Sequence, residues 1–127
     1  MSTREMTTAN FTEMIGRGTV LIDWWAPRCG PCRAFAPIYE AVATKHPAVT
    51  FAKVNTEVEP GLAAAFQIRA IPTLTVFRDG ILLFREVGML PAAALEELIR
   101  RVAEVDMVDV RTKLAEAESS GATRVAI

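Results

Sequence analysis

Apolar residues along the chain follow two spacings that alternate from one segment to the next. Short runs rich in β-branched residues predict strands at 19–25, 49–54, 73–77 and 81–87. Apolar residues that recur every three or four positions predict helices at 11–15, 29–45, 60–66 and 91–102. Thr7 or Thr8 can cap the first of these helices. Helices and strands therefore alternate, without an internal repeat.

The order of these segments predicts how the strands pair. Strands joined through a helix pair in parallel, whereas Asp79-Gly80 between two apolar runs is a strong signal for an antiparallel hairpin. The predicted fold is α/β: a central mixed sheet of four to five strands, with a parallel βαβ first half and a hairpin. Helices should flank this sheet on both faces.

Composition narrows the classes of function. The 127 residues suffice for one domain, and 51% hydrophobic with 23% charged residues is typical of a globular chain. A formal net charge of -1 gives no sign of nucleic-acid binding. Neither a signal-peptide pattern nor an apolar stretch near the ~20 residues of a membrane span is visible. We therefore expect a cytoplasmic protein without membrane contact, where a lone cysteine pair is more often catalytic than structural.

Both cysteines lie in the segment Trp25-Ala26-Pro27-Arg28-Cys29-Gly30-Pro31-Cys32, between a predicted strand and a predicted helix. The first sulfur then lies at a helix N-terminus, where unpaired N–H groups and the helix dipole favour the thiolate that attacks disulfides. We expect Cys29 to attack and Cys32, one turn along and more buried, to resolve the mixed disulfide. Pro31 suits the first turn of a helix, and Gly30 lets a target backbone come close.

A metal site is the alternative use of this cysteine pair. Structural zinc and iron–sulfur sites usually need four ligands, and the chain has two cysteines and one histidine, His46. We therefore predict no metal site within one chain, although two chains could share one cluster.

Several further segments, in order and at the expected separations, resemble the thioredoxin family. They are Leu21 to Arg33, Pro37, Phe51 to Asn55, Ile71-Pro72-Thr73, Phe77 to Gly80 and Val87-Gly88. The resemblance implies a thioredoxin fold over the domain 5–105, with Arg4 to Met6 as the candidate for its first edge strand. It also implies a dithiol–disulfide oxidoreductase with no bound cofactor and a redox-active disulfide between Cys29 and Cys32. Its expected partners are disulfide-containing proteins and a thioredoxin reductase that supplies electrons from NADPH.

The resemblance implies that Asp23 is a buried carboxylate beneath the cysteine pair and that Lys53 pairs with it. The apolar neighbours of Asp23 support this, because desolvation raises the pKa of a carboxyl, which can then take a proton from Cys32. An exposed aspartate at a strand end and an exposed lysine at a strand edge are the alternatives. Trp25 is interpreted as a packing residue that shields the pair.

The resemblance also implies that Pro72 is a cis-proline facing the cysteines. The backbone N–H and C=O of Ile71 would then be free to bind an extended target as a short strand. Gly88 would let a target chain approach closely. An ordinary trans-proline at a strand start and a glycine that ends a strand are the alternatives.

Arg28 departs from the family, which usually has tryptophan before the first cysteine, and Pro27 replaces an acidic or small residue. The missing indole removes an apolar platform for partners. A fixed positive charge beside Cys29 should stabilise its thiolate and attract acidic targets. It should also make the redox potential of the pair more oxidising. The alternative is a solvated arginine that tunes nothing.

Residues 106–127 extend beyond the usual domain. Met107, Val110 and Leu114 recur at helical spacing, which predicts an amphipathic helix over 106–118 followed by a frayed tail at 122–127. We expect this helix to dock on its own domain and the protein to be a monomer. A dimer through the helix, or a partner bound to it, are the alternatives.

The sequence as a whole predicts a protein-disulfide reductase in which Cys29 attacks, Cys32 resolves and Asp23 moves the proton. An oxidase or isomerase is the first alternative, if Arg28 raises the potential sufficiently. A binding module that uses the fold without redox turnover is the second.

Overall fold

The computed structural model describes residues 2–120, and within them five strands form one sheet in the order β1-β3-β2-β4-β5. Strands β1, β3 and β2 are parallel, β4 is antiparallel to β2, and β5 is antiparallel to β4. The strands are β1 Thr3–Glu5, β2 Thr19–Trp25, β3 Thr50–Asn55, β4 Thr73–Arg78 and β5 Ile81–Val87. This confirms the mixed sheet, with the short first strand at its edge.

The helices lie close to the predicted ranges. They are α1 Phe11–Ile15, α2 Gly30–Thr44, α3 Pro60–Ala65, α4 Ala92–Ala103 and α5 Met107–Ser120. The predicted cap of α1 is wrong: Asn10 occupies the N-cap position, and its Oδ1 accepts the N–H of Thr7 at 2.7 Å. Thr8 instead donates its hydroxyl to Glu59 at 2.7 Å, which connects the start of α1 to the start of α3.

Side chains of the sheet point alternately to two faces, and each face has its own core. Val20, Ile22 and Trp24 pack on the face covered by α1 and α3. Leu21 packs on the other face with Phe35 and Tyr39 of α2 and with α4. Asp23 follows Leu21 by two residues on β2, so this carboxyl belongs to the face covered by α2 and α4.

The tight hairpin between β4 and β5 forms as the sequence predicts. Asp79 and Gly80 both have positive φ, 52° and 83°, as a two-residue type I′ turn requires. The carboxylate of Asp79 also accepts the N–H of Gly18 at 2.8 Å. Because β4 begins at Thr73 beside Trp24 and ends at this turn, the hairpin lies at the end of the sheet opposite the cysteines.

The first turns of α5 contact the domain near the same hairpin. Met107 is buried, and Arg111 forms an ion pair with Asp79 at 3.5 Å. Val108, the next residue of the helix after Met107, is 72% exposed. The helix continues past the predicted end at 118 to Ser120, and the predicted frayed tail at 122–127 lies outside the described residues. Within residues 2–120, none of the helices has the length and apolar character needed to cross a membrane.

Arg78 joins the end of β4 to the junction between α4 and α5. Its Nη1 donates to the carbonyl oxygens of Val102 at 2.8 Å and Val105 at 2.9 Å. Val102 lies in the last turn of α4, and its carbonyl also accepts the N–H of Val105 at 3.2 Å, whereas Val105 lies between α4 and α5. The guanidinium of Arg78 therefore binds the end of α4 and gives the carbonyl of Val105 a hydrogen-bond partner.

Replacing Arg78 by methionine should lower the free energy of unfolding by about 1–3 kcal/mol, the usual loss when partly buried polar groups lose their partner. Urea unfolding followed by circular dichroism measures the change. Arg101→Met is the matched control, because Arg101 is exposed and pairs with Glu97 at the helix surface, so its loss should change stability little. Equal effects of the two substitutions would contradict the assigned role of Arg78.

Candidate active site

The two cysteines form a disulfide at the start of α2, with their Cα atoms 5.2 Å apart. β2 ends at Trp25, a short loop follows, and Cys29 is the N-cap of the helix, with Pro31 in its first turn. Cys32 is 2% exposed, whereas Cys29 is half-buried and open to solvent. The backbone N–H of Cys32 donates to Cys29 Sγ at 3.1 Å. This bond and the helix dipole stabilise negative charge on the sulfur of Cys29 once the disulfide is reduced.

A second loop faces the disulfide. The Ile71–Pro72 peptide bond is cis, and the carbonyl oxygen of Ile71 lies 3.7 Å from Cys29 Sγ. Pro72 O accepts the N–H of Gly88 at 2.8 Å, which joins this loop to the end of β5. Gly88 has φ of 101°, a backbone conformation that favours glycine. The predicted residues of three separate segments therefore meet around the exposed sulfur.

Asp23 is fully buried, and among the described residues neither of its carboxyl oxygens has a hydrogen-bond partner. Burial raises the pKa of this carboxyl to about 7, and the charge of Lys53 opposes part of the rise. Cys32 precedes Phe35 by one turn of α2, and Phe35 packs on the same face of the sheet as Leu21. Asp23 and Cys32 are therefore buried in the same layer, between β2 and α2.

Lys53 lies beside Asp23 in the sheet, because the two residues are in register between β2 and β3. Its Nζ is 4.8 Å from the ring centroid of Trp25, which fixes the ammonium group over the aromatic face. Both side chains are half-buried. Since β3 lies between β1 and β2, Lys53 belongs to an interior strand and the sheet edge is elsewhere.

The residues that flank Cys29 are open to solvent. Arg28, Gly30 and Pro31 are exposed, so the loop before the helix and its first turn form a free surface. The sequence interpretation passed over Arg33, whose Nη1 donates to the carbonyl of Pro27 at 3.1 Å. Its position, four residues after Cys29, places it one turn along the same face of α2, a spacing that could have indicated a second positive charge near the cysteine pair.

A family model described as Thioredoxin matches residues 2–101. The chain belongs to the thioredoxin family. Thioredoxins of other organisms are similar along most of their length. "Putative thioredoxin 2" of Streptomyces coelicolor is 44% identical over 119 residues, 93% of this chain and 89% of that protein. "Thioredoxin" of Porphyra purpurea is 36% identical over 104 residues, 80% of this chain and 97% of that protein.

The thioredoxin fold also has a solved neighbour. A chain from a structural study of the thiol resolving mechanism in yeast mitochondrial 1-Cys peroxiredoxin via glutathione/thioredoxin systems superposes with a TM-score of 0.72. The two sequences are 27% identical, and the match covers 79% of this chain and 95% of that chain. Family, fold and the Cys29–Cys32 pair together make this thioredoxin a thiol–disulfide oxidoreductase that acts on protein disulfides.

Proposed function

We propose that this thioredoxin is a protein-disulfide reductase in which Cys29 attacks and Cys32 resolves. The observation that carries the assignment is the asymmetry of the pair. Cys29 is accessible and its sulfur accepts an N–H at a helix N-terminus, whereas Cys32 is 2% exposed. A target disulfide can therefore reach the sulfur of Cys29, whereas the sulfur of Cys32 can reach only Cys29.

In the proposed cycle, the Cys29 thiolate attacks one sulfur of a target disulfide. A bond forms between Cys29 and the target, the target S–S bond breaks, and the second target sulfur leaves and takes a proton. Asp23 then accepts the proton of the Cys32 thiol, for which a carboxyl with a pKa of about 7 is suited. Cys32 attacks Cys29 Sγ, which releases the reduced target and leaves the Cys29–Cys32 disulfide present in this structure.

The target groove is the surface around Cys29. We assign Arg28, Gly30 and Pro31 to one side and Ile71, Pro72 and Gly88 to the other, since these segments meet at the exposed sulfur. We assign Trp25 and Lys53 a supporting role beneath the groove, where the ammonium group of Lys53 lies over the ring of Trp25.

The proposed working context completes the assignment. NADPH supplies the electrons through a thioredoxin reductase. The location is the reducing cytoplasm, where a lone cysteine pair is more often catalytic than structural. The proposed catalytic domain is 5–105, and α5, Met107–Ser120, belongs to the extension that follows it. Burial of Met107 and the Arg111–Asp79 ion pair support a monomer in which the first turns of α5 lie on their own domain.

The test is NADPH oxidation in the presence of thioredoxin reductase, this protein and insulin, beside a reaction driven by dithiothreitol. We expect turnover of insulin disulfides in both reactions. Turnover with dithiothreitol alone would show that the reductase is not the electron donor. No turnover in either reaction would overturn the reductase assignment and favour a binding module.

A further inference from the structure

Arginines dominate the charge around the disulfide. Arg28 directly precedes Cys29, and Arg33 reaches back from α2 to the carbonyl of Pro27. Arg69 lies two residues before Ile71, whose carbonyl faces Cys29 Sγ. All three side chains are exposed, and they belong to the two segments that meet at the sulfur. We call Arg28, Arg33 and Arg69 the active-site arginines.

No acidic side chain of the same segments balances this charge. Residues 26–35 and 66–73 contain no aspartate or glutamate, although the whole chain has a net charge of -1. Among residues 2–120, the ion pairs formed by arginines involve Arg100, Arg101 and Arg111 but none of the active-site arginines. The N-terminus of α2 adds partial positive charge at the same place.

Acidic residues at this end of the sheet belong to other segments. Glu57 is exposed in the loop after β3, Glu86 is exposed on β5, and Asp23 is buried beside Lys53, whose positive charge opposes its own. Glu59 accepts hydrogen bonds from Thr8. The third side of the groove is apolar, because Val87 and Met89 beside Gly88 are 58% and 40% exposed. The surface nearest the sulfur is therefore cationic with an apolar border.

We propose that the active-site arginines select target disulfides flanked by acidic residues. This inference rests on the proposed function, since it concerns the targets that Cys29 attacks. Within residues 2–120 these guanidinium groups form no ion pair, and the field of an exposed charge reaches about one Debye length, ~10 Å at 0.1 M salt, so they attract carboxylates and repel ammonium groups of a target that approaches the two segments. Selection therefore acts on the approach of the target, and the chemistry of exchange is the same for every target.

Three synthetic peptides test the proposal. Each contains the same intramolecular disulfide, flanked by glutamate, glutamine or lysine. The pre-reduced protein is mixed with each peptide, and the second-order rate constant is divided by that measured with dithiothreitol, which removes the intrinsic reactivity of the peptide. We expect the glutamate peptide to be reduced about tenfold faster than the lysine peptide at low salt. The ratio should approach one in 1 M salt, where the Debye length is ~3 Å.

Matched variants separate local from overall charge. Arg28→Glu should lower the ratio of the two rates severalfold or invert it. Arg17→Glu changes the net charge equally but lies in the exposed loop before β2, at the other end of that strand from Cys29, and should leave the ratio unchanged. The glutamine peptide reports any change in the reactivity of Cys29, because such a change alters all three rates by the same factor.

The outcomes distinguish this inference from the function on which it rests. Equal normalised rates for the three peptides, with efficient reduction of all of them, would overturn the acidic preference and leave the reductase intact. Equal effects of Arg28→Glu and Arg17→Glu would also overturn it, since net charge would then explain the preference. Failure to reduce any peptide would overturn the proposed function and this inference together.

Discussion

Replacing Cys32 by serine should turn the protein into a covalent trap that stays attached to its targets. Cys29 keeps its place at the helix N-terminus and still attacks, but the sulfur that would release the target is gone. Reduction of insulin should fall by on the order of 10³ or more, in line with the large losses that follow removal of a reacting group. Non-reducing gel electrophoresis should show mixed-disulfide adducts between Cys29 and its targets, which dithiothreitol reduces.

Cys29→Ser is the matched control for this trap, because it removes the accessible sulfur and keeps the buried one. It should lose turnover to the same extent and form no adducts, since Cys32 is 2% exposed and out of reach of a folded target. Adducts with Cys29→Ser and none with Cys32→Ser would reverse the two assigned roles. Both variants remain folded if their circular dichroism matches that of the reduced parent.

Removing the Asp23 carboxyl should stabilise the oxidised protein at pH 8. Its pKa is about 7 in the fold and the usual 3.8 in the unfolded chain, so the folded state binds more protons between these values. The stability of the parent therefore falls as pH rises from about 4 to about 7. A tenfold difference in proton affinity between the two states corresponds to about 1.4 kcal/mol, so Asp23→Asn should gain up to about 4 kcal/mol relative to the parent between pH 4 and pH 8.

The measurement is urea unfolding of parent and Asp23→Asn at several pH values, both in the disulfide form so that neither cysteine titrates. The difference between the two proteins is the readout, because groups that titrate equally in both cancel. A difference that stays constant from pH 4 to pH 8 would contradict the raised pKa. Lys53→Met gives the reverse check, since loss of its opposing charge should raise the pKa of Asp23 further and extend the fall in stability to higher pH.

Local patterns in the sequence were sufficient for most of the fold. Asp79-Gly80 predicts the hairpin because few residue pairs adopt two successive positive φ values. Asp23 could be predicted as buried from its apolar neighbours, and the alternative of an exposed strand-end aspartate is wrong. The spacing of Cys29 and Cys32 places both at a helix start, where their different burial follows from the helix geometry.

Contacts between distant segments could not be read from local patterns. Thr7 and Thr8 are good capping residues, but the hydroxyl of Thr8 binds Glu59, 51 residues away, and Asn10 is the N-cap. The link from Arg78 to the end of α4 spans 24 residues or more, and nothing in β4 indicates it. The approach of Ile71, two residues after Arg69, to Cys29 is likewise produced only when the sheet brings the two segments together.

The attachment of α5 beside the Asp79 hairpin provides a site through which this thioredoxin can be immobilised. The helix begins at the end of the sheet opposite the disulfide, and its side bearing Val108 faces solvent. A linker joined to that exposed side would hold the molecule on a solid support with Cys29 directed toward the mobile phase. Combined with Cys32→Ser, such a matrix would retain disulfide proteins from a mixture and release them with dithiothreitol.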